Sequence, residues 1–169
     1  YPNCISEMVA LSETDDRIGL TFCNREIIGD LNNKAEWLHR YGNLSVKWNV
    51  LNTIQDGIIL FKQRNFFNHP MNKIGEPTVV MLRKKCFDDI GFFSEELKQT
   101  LDYQYWYRML PKYKIGFINE KLAAFRLHEN QATQQNLTGL KSEYLIYYKS
   151  IYKSVIRYLS WYNRVKITL

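Results

Sequence analysis

The sequence predicts an α/β domain in which short strands alternate with helices. Apolar, β-branched runs such as IGLTF, TVVML and KIGFI read as strands. Between them, apolar residues recur at steps of three or four, the spacing of an amphipathic helix. The chain has 169 residues, of which 46% are hydrophobic and 24% charged, enough for one domain with a buried core.

The first part of the chain is predicted to hold two helices, one strand and a loop. The segment behind Pro2 has helical spacing, and residues 17–30 are extended in character. Residues 31–45 are polar and rich in turn formers, which predicts a loop. Residues 45–61 are predicted to form an amphipathic helix, because its apolar residues are spaced by three or four: Trp48, Leu51, Ile54, Ile58 and Phe61.

Clear turn signals divide the segment from residue 74 to residue 127. TVVML predicts a short strand, and RKKCFDDIG predicts one or two helical turns that Gly91 closes. DYQYWYRML predicts the next helix, which ends at Pro111. KIGFI and LAAFRL then predict two further short strands.

From about Thr133 to the end, a long amphipathic helix is predicted. After Glu129 the chain has six basic residues and the single acid Glu143, an excess of +5 out of a net charge of +6. Such a basic segment favours an anionic partner. Its apolar stripe, from Leu137 to Tyr162, either docks on an anionic membrane surface or packs on the domain and leaves the basic face solvated.

Other features of the sequence indicate the cellular location of the protein. No stretch approaches the roughly 20 apolar residues of a membrane span, and no signal peptide is evident. The three cysteines are widely spaced and odd in number, which argues for a reducing compartment and against a disulfide framework. We therefore expect a cytoplasmic protein, with a peripheral position on the inner face of the cell membrane as a further hypothesis.

Asp102 stands at the head of the aromatic run LDYQYWYRML and has two interpretations. A carboxylate in the first turn of a helix is ordinary capping chemistry. A carboxylate set among aromatic rings is also how enzymes build a general base. The residues alone leave both open.

Three segments, in order, resemble the C-terminal half of family-2 glycosyltransferases of the GT-A fold. They are IGEPTVVMLRKKCFDDIGFF, LDYQYWYRM and IGFINEKLAAFRLHENQAT, which match that family's sequence of strand, RR-type turn, acid-led helix and R-x-H closing strand. Residues 1–30 resemble, more loosely, the segment that follows the family's DxD motif. The resemblance implies a nucleotide-diphospho-sugar transferase fold.

The donor-side βαβ units and the DxD acids of that family have no counterpart in this sequence. The resemblance therefore implies that Tyr1 begins just past the DxD. Residues 1–132 would be the acceptor-side half of the transferase domain, residues 133–169 a basic C-terminal helix, and this chain alone inactive. The expected activity is inverting transfer from a nucleotide sugar to a glycan or lipid-linked acceptor, as in polysaccharide biosynthesis.

The resemblance also assigns candidate roles to five residues. Asp102 falls where the family places its catalytic base, although the preceding position, often acidic in the family, is Leu101. Trp106 would stack on sugar rings, Glu76 would bond acceptor hydroxyls and Arg126 would pair with phosphate oxygens. His128 would help bind Mn²⁺ or Mg²⁺ together with the missing DxD acids. The alternatives are a core tryptophan, a turn glutamate, and a solvated Arg and His at a strand end.

Two other functions compete with this one. One alternative is a non-catalytic binding module whose basic aromatic C-terminal helix engages anionic lipid or nucleic acid. No signature of a nucleic-acid-binding fold accompanies it, so no nucleic-acid partner is expected. A degenerate transferase that has lost its donor half is the third hypothesis.

Overall fold

A computed structural model describes residues 1–29, 34–128 and 140–168. These residues form a mixed α/β fold with a four-stranded sheet, which confirms the predicted class. The elements in chain order are α1 (Cys4–Ser12), β1 (Ile18–Ile28), α2 (Lys34–Tyr41), β2 (Ile54–Asp56), α3 (Gly57–Lys62), β3 (Val80–Leu82), α4 (Lys85–Ile90), α5 (Leu101–Met109), β4 (Lys114–Arg126), α6 (Leu140–Val155) and α7 (Trp161–Thr168). Short 3₁₀ turns occur at Ser45–Lys47, Pro77–Val79 and Ile156–Tyr158.

The sheet is built around a parallel pair of long strands. β1 and β4 run side by side, and the strand order is β2-β4-β1-β3 with both outer strands antiparallel to their neighbours. The sequence predicts two short strands within residues 114–127, but the structure has one 13-residue strand, β4. It stays continuous because β1 pairs with it throughout, and register shifts at Asn24 absorb the irregular middle.

Two predictions for residues 31–61 are wrong. The predicted loop contains α2, and the predicted helix is divided into a 3₁₀ turn, the strand β2 and the short helix α3. β2 exists because its residues pair with β4, Ile54 lying opposite Gly116. Pairing between distant segments has here overridden a local apolar spacing.

The core lies between the sheet, α5 and the C-terminal helices. Tyr105, Trp106, Tyr107 and Met109 of α5 are each at most 1% exposed. α6 packs against α5, and the rings of Tyr103 and Tyr147 meet edge-on with centroids 4.9 Å apart. Aromatic rings in this arrangement add favourable quadrupole contacts to the burial of apolar area.

The C-terminal segment is two helices in the described residues, rather than the single long helix that the sequence predicts. A 3₁₀ turn at Ile156–Tyr158 ends α6, and the Ser160 side chain then accepts a hydrogen bond from the Asn163 N–H at the start of α7. The buried Asn163 amide donates to the carbonyls of Phe61 and Gln63 at 3.0 and 2.8 Å, which ties α7 to α3. The predicted boundary between residues 132 and 133 lies outside the described residues.

Most of the predicted apolar stripe is used inside the protein. Tyr147, Ile151 and Val155 of α6 have no exposed surface, and Leu159 beyond them is 3% exposed. Of the two alternatives, packing on the domain is therefore what the structure has for this stripe. No helix within the described parts of the chain is long and apolar enough to cross a membrane.

A buried lysine organises the loop between α3 and β3. The Lys73 ammonium group donates to the carbonyl oxygens of Phe66, Asn68 and Pro70 at 2.7, 2.5 and 2.9 Å. Burial, followed by the positive charge of Lys166, lowers the pKa of Lys73 to about 7. Only the ammonium form has three N–H groups for the three carbonyls, so the backbone opposes this shift.

Candidate active site

α5 carries Asp102 and is fixed to the neighbouring loop by aromatic side chains. The Trp106 indole N–H donates to the Gly75 carbonyl at 3.0 Å, and the Tyr107 hydroxyl donates to the Met71 carbonyl. Gly75 has a φ of +129°, a value that L side chains rarely adopt, and its N–H donates to the Asn72 side chain at 2.9 Å. The middle of α5 is thereby held against the loop that contains Gly75.

Asp102 does not cap its own helix. The backbone immediately before α5 is held from α6, where Glu143 accepts hydrogen bonds from the N–H groups of Gln99 and Thr100, both at 2.7 Å. Among the described residues the Asp102 carboxylate has no hydrogen-bond partner. The capping interpretation of Asp102 is therefore not what the structure shows.

The surroundings of Asp102 make it more basic than an ordinary aspartate. Burial, followed by the negative charge of Glu76, raises the pKa of Asp102 to about 6. The side chain is nevertheless only half-buried. A carboxylate of this kind is ionised at neutral pH and still has appreciable affinity for a proton, as a general base requires.

Glu76 is held by a buried arginine from β1. The Arg25 Nε lies 2.8 Å from Glu76 Oε2, and Arg25 Nη2 donates to Glu76 Oε1 at 3.2 Å. Arg25 is only 5% exposed, and the same Nη2 donates to the Tyr41 carbonyl at 2.9 Å. Burial, opposed by the attraction of Glu76, lowers the pKa of Arg25 from its ordinary value. This contact fixes the charge that acts on Asp102.

The predicted sugar-stacking role of Trp106 does not fit its position. Its side chain is 1% exposed, and its ring meets those of Phe93 and Tyr105 edge-on at 5.7 and 5.9 Å. An enclosed ring cannot stack on a sugar. Trp106 instead supports the Gly75–Glu76 segment from below.

Arg126 is the last residue of β4, and His128 follows it two positions later. Both are exposed, and Arg126 stands opposite Ile28 at the end of β1. The Arg25 guanidinium lies 5.9 Å from the centre of the Phe125 ring. Phe125 therefore lies on the same face of the sheet as Arg25. Because consecutive strand residues point to opposite faces, the Arg126 side chain leaves β4 on the other face. The contacts around Glu76 thus gather Asp102 and Trp106, but not Arg126.

The described residues do not assemble a metal site. They contain no group of three or more His, Cys, Asp or Glu side chains placed to hold an ion. His128 is therefore not part of a group of three such ligands among the residues that the structure describes.

The sequence suggests Asp102 and Glu76 as candidates, but it does not suggest the residues that contact them or position them. Arg25 and Glu143 act through contacts to residues 51 and 43 positions away, which no local pattern reveals. One signal was available for Arg25, because a charged residue inside a largely buried strand is rarely without a partner.

The chain is similar to two curated proteins. Over 112 residues, 66% of this chain and 34% of the other, it is 29% identical to an uncharacterized protein of Mycobacterium tuberculosis (strain CDC 1551 / Oshkosh). Over 171 residues, 99% of this chain and 47% of the other, it is 23% identical to an uncharacterized glycosyltransferase of Rickettsia typhi (strain ATCC VR-144 / Wilmington). The chain thus spans a third to a half of the length of these relatives.

No protein-family model matches the chain, and no solved structure matches it significantly. At this level of identity, the second relative suggests a glycosyltransferase-like protein and nothing finer.

Proposed function

We propose that this chain is the acceptor side of an inverting, nucleotide-sugar-dependent glycosyltransferase. The observation that supports it most is the state of Asp102, which is half-buried, without a hydrogen-bond partner among the described residues, and raised in pKa to about 6. The similarity to a protein named as a glycosyltransferase supports the general class of reaction.

In the proposed reaction, Asp102 takes the proton from an acceptor hydroxyl group. The acceptor oxygen forms a bond to the anomeric carbon of the donor sugar as the bond from that carbon to the diphosphate oxygen breaks. The nucleoside diphosphate leaves with the electron pair, and the configuration at the anomeric carbon inverts. General-base help of this type contributes about 10²–10⁴ in rate.

The role proposed for Glu76 changes with its structural setting. Both of its carboxylate oxygens contact Arg25, yet 23% of its side chain is exposed. We propose that its remaining lone pairs accept from acceptor hydroxyls, while its charge keeps Asp102 basic. Arg126 remains a proposed contact for phosphate oxygens, supported by its exposed position at the carboxyl end of two parallel strands.

The test is Asp102→Asn in the full-length protein. We expect the transfer rate to fall by at least about 100-fold while donor affinity changes little, since the amide cannot accept the proton. Asp88→Asn, an exposed aspartate on α4, is the matched control and should keep full activity. An Asp102→Asn protein that retains more than about a tenth of the rate would refute the assignment.

A second candidate function is docking on an anionic membrane. The surface that supports it is not the apolar stripe that the sequence suggested. Leu145 on α6 is 63% exposed and Trp161 on α7 is 77% exposed. Exposed cations lie near them in sequence: Lys149, Lys153, Arg157, Arg164 and Lys166. We propose that this C-terminal surface, rather than the buried stripe, contacts lipid headgroups.

A further inference from the structure

A cleft with a cationic lining lies beside α2. Its volume is about 310 Å³, and the described residues that line it are His39, Tyr41, Lys47, His69 and Pro70. We call it the Lys47 cleft. Its residues come from α2, the following 3₁₀ turn and the loop after α3, so three separate parts of the chain meet there.

The side chains of the Lys47 cleft suit an anion. Lys47 supplies a positive charge and is half-buried, while the exposed imidazoles of His39 and His69 supply ring N–H groups. No acidic side chain occurs among the lining residues that the structure describes. A concave site with converging donors and one cation is the usual form of a phosphate-binding site.

Two further cations lie behind one wall of the cleft. The buried Lys73 ammonium donates to the carbonyl of Pro70, a lining residue, at 2.9 Å. The Lys166 ammonium donates to the Asn68 side chain in the same loop. When protonated, the buried Lys73 attracts an anion in the cleft, whereas the charge of the exposed Lys166 is more strongly screened by water.

The Lys47 cleft is connected to the proposed active site by one side chain. Arg25 donates to the Tyr41 carbonyl at 2.9 Å and contacts the carboxylate of Glu76. Tyr41 lines the cleft, and the charge of Glu76 acts on Asp102. A ligand in the cleft would therefore be linked to Glu76 through Tyr41 and Arg25.

We propose that the Lys47 cleft binds the phosphoryl or diphosphoryl group of a substrate. That the ligand is a transferase substrate rests on the proposed function, whereas anion binding itself does not. A volume of about 310 Å³ is at the lower end of the range for small-molecule sites and admits a diphosphate. Lys47 would bind it as a point charge, with His39 and His69 donating to its oxygens.

The test is titration calorimetry with inorganic pyrophosphate. We expect saturable binding that Lys47→Gln weakens by at least about tenfold, the effect of losing one charge-assisted hydrogen bond. Lys62→Gln, an exposed lysine at the end of α3, is the matched control and should bind as the wild type does. His69→Asn, which keeps a donor but not the ring, should weaken binding to a smaller degree.

Absence of saturable binding by the folded wild type, or equal binding by folded Lys47→Gln and wild type, would overturn the proposal. Thermal unfolding of each variant shows that it is folded. If Lys47→Gln does not fold, His69→Asn decides, and unchanged binding by that variant would equally overturn it.

Two organic diphosphates distinguish the source of the phosphoryl group. Competition with pyrophosphate by a nucleoside diphosphate points to the donor, and competition by geranyl diphosphate points to a lipid-linked acceptor. Competition by neither would contradict a substrate role. Asp102→Asn should bind pyrophosphate as the wild type does, so loss of transfer and loss of anion binding report separately on the two proposals.

Discussion

Glu143 on α6 accepts hydrogen bonds from both the backbone N–H and the hydroxyl group of Thr100, at 2.7 and 2.8 Å. Thr100 is the residue before α5, so an acid from one helix caps the amino end of another that begins 39 positions before α6. The helix that carries Asp102 is therefore positioned by the C-terminal part of the chain. A carboxylate is also favourable there because of the positive end of the helix dipole.

Removal of this cap should loosen α5. We expect Glu143→Ala to lower the free energy of unfolding by about 1–2 kcal/mol, the usual cost of losing a side-chain cap. Glu95→Ala, at an exposed position in the segment before α5, should change it by less than about 0.5 kcal/mol. Chemical denaturation measures both, and equal stability of the two variants would contradict the capping role.

The same cap predicts an acid dependence. Burial raises the pKa of Glu143, but hydrogen bonds from Thr100 and neighbouring backbone N–H groups lower it more. The pKa of Glu143 is therefore below its ordinary value. A depressed pKa contributes stability above the unfolded value near 4.5, and this contribution is lost as the pH falls through the folded value. The stability difference between wild type and Glu143→Gln should accordingly shrink below about pH 4.5. A constant difference from pH 7 to pH 3 would contradict it.

Asp102 should have the opposite effect on stability. Because burial and Glu76 raise its pKa to about 6, the folded state binds its proton more tightly than the unfolded chain does. The ionised carboxylate therefore costs stability as the pH rises from about 4 through 6. We expect Asp102→Asn to raise the free energy of unfolding at pH 8 by on the order of 1–2 kcal/mol, and to change it little near pH 3. A variant less stable than wild type at pH 8 would contradict this.

Glu76 should set the pH dependence of transfer. Its negative charge contributes to the raised pKa of Asp102, so Glu76→Gln should move the acid limb of kcat/KM to lower pH. The amide oxygen can still accept from Arg25, which limits the damage to the fold. Glu120→Gln, an exposed substitution on β4, is the control and should leave the limb where it is. A shift to higher pH would show that Glu76 does not act on the base through its charge.

The elements that the sequence predicts correctly are those whose ends are marked by a nearby Gly or Pro. α4 ends at Gly91, whose φ of +82° suits the residue after a helix, and α5 ends just before Pro111. The helix predicted for residues 45–61 is wrong because β2 depends on pairing with β4, and because the Gly57 N–H donates to the Tyr113 carbonyl. Partners so far along the chain leave no periodic trace in the sequence.

At the candidate site, too, local sequence patterns predict some features, while others depend on contacts between distant residues. A carboxylate at the start of an aromatic helix was enough to select Asp102. That the Asp102 carboxylate makes no capping hydrogen bond could not be predicted, because Glu143 of α6 binds the backbone N–H groups just before the helix. The aromatic character of Trp106 suggested contact with sugars, while its burial is a property of the assembled core.

The exposed C-terminal surface predicts binding to charged vesicles. We expect sedimentation with anionic but not neutral liposomes, and loss of binding at high salt, since the cations of this surface act through screened charges. Trp161→Ser should weaken binding, because Trp161 is 77% exposed beside these cations. Phe92→Ser is the matched control, since Phe92 is 76% exposed but follows α4. Equal recovery in the supernatant with both vesicle types would end the hypothesis.

Lys73 provides the loop before β3 with a cation that is covalently part of the chain, as a bound ion is not. Three inward-facing carbonyl oxygens around one positive charge form the same arrangement that proteins use to chelate a cation. Here the cation is part of the polypeptide, so it has no dissociation constant and cannot be dialysed away. The wall that Pro70 contributes to the Lys47 cleft is thereby held by a cation that is lost only by deprotonation, which burial favours as the pH rises above about 7.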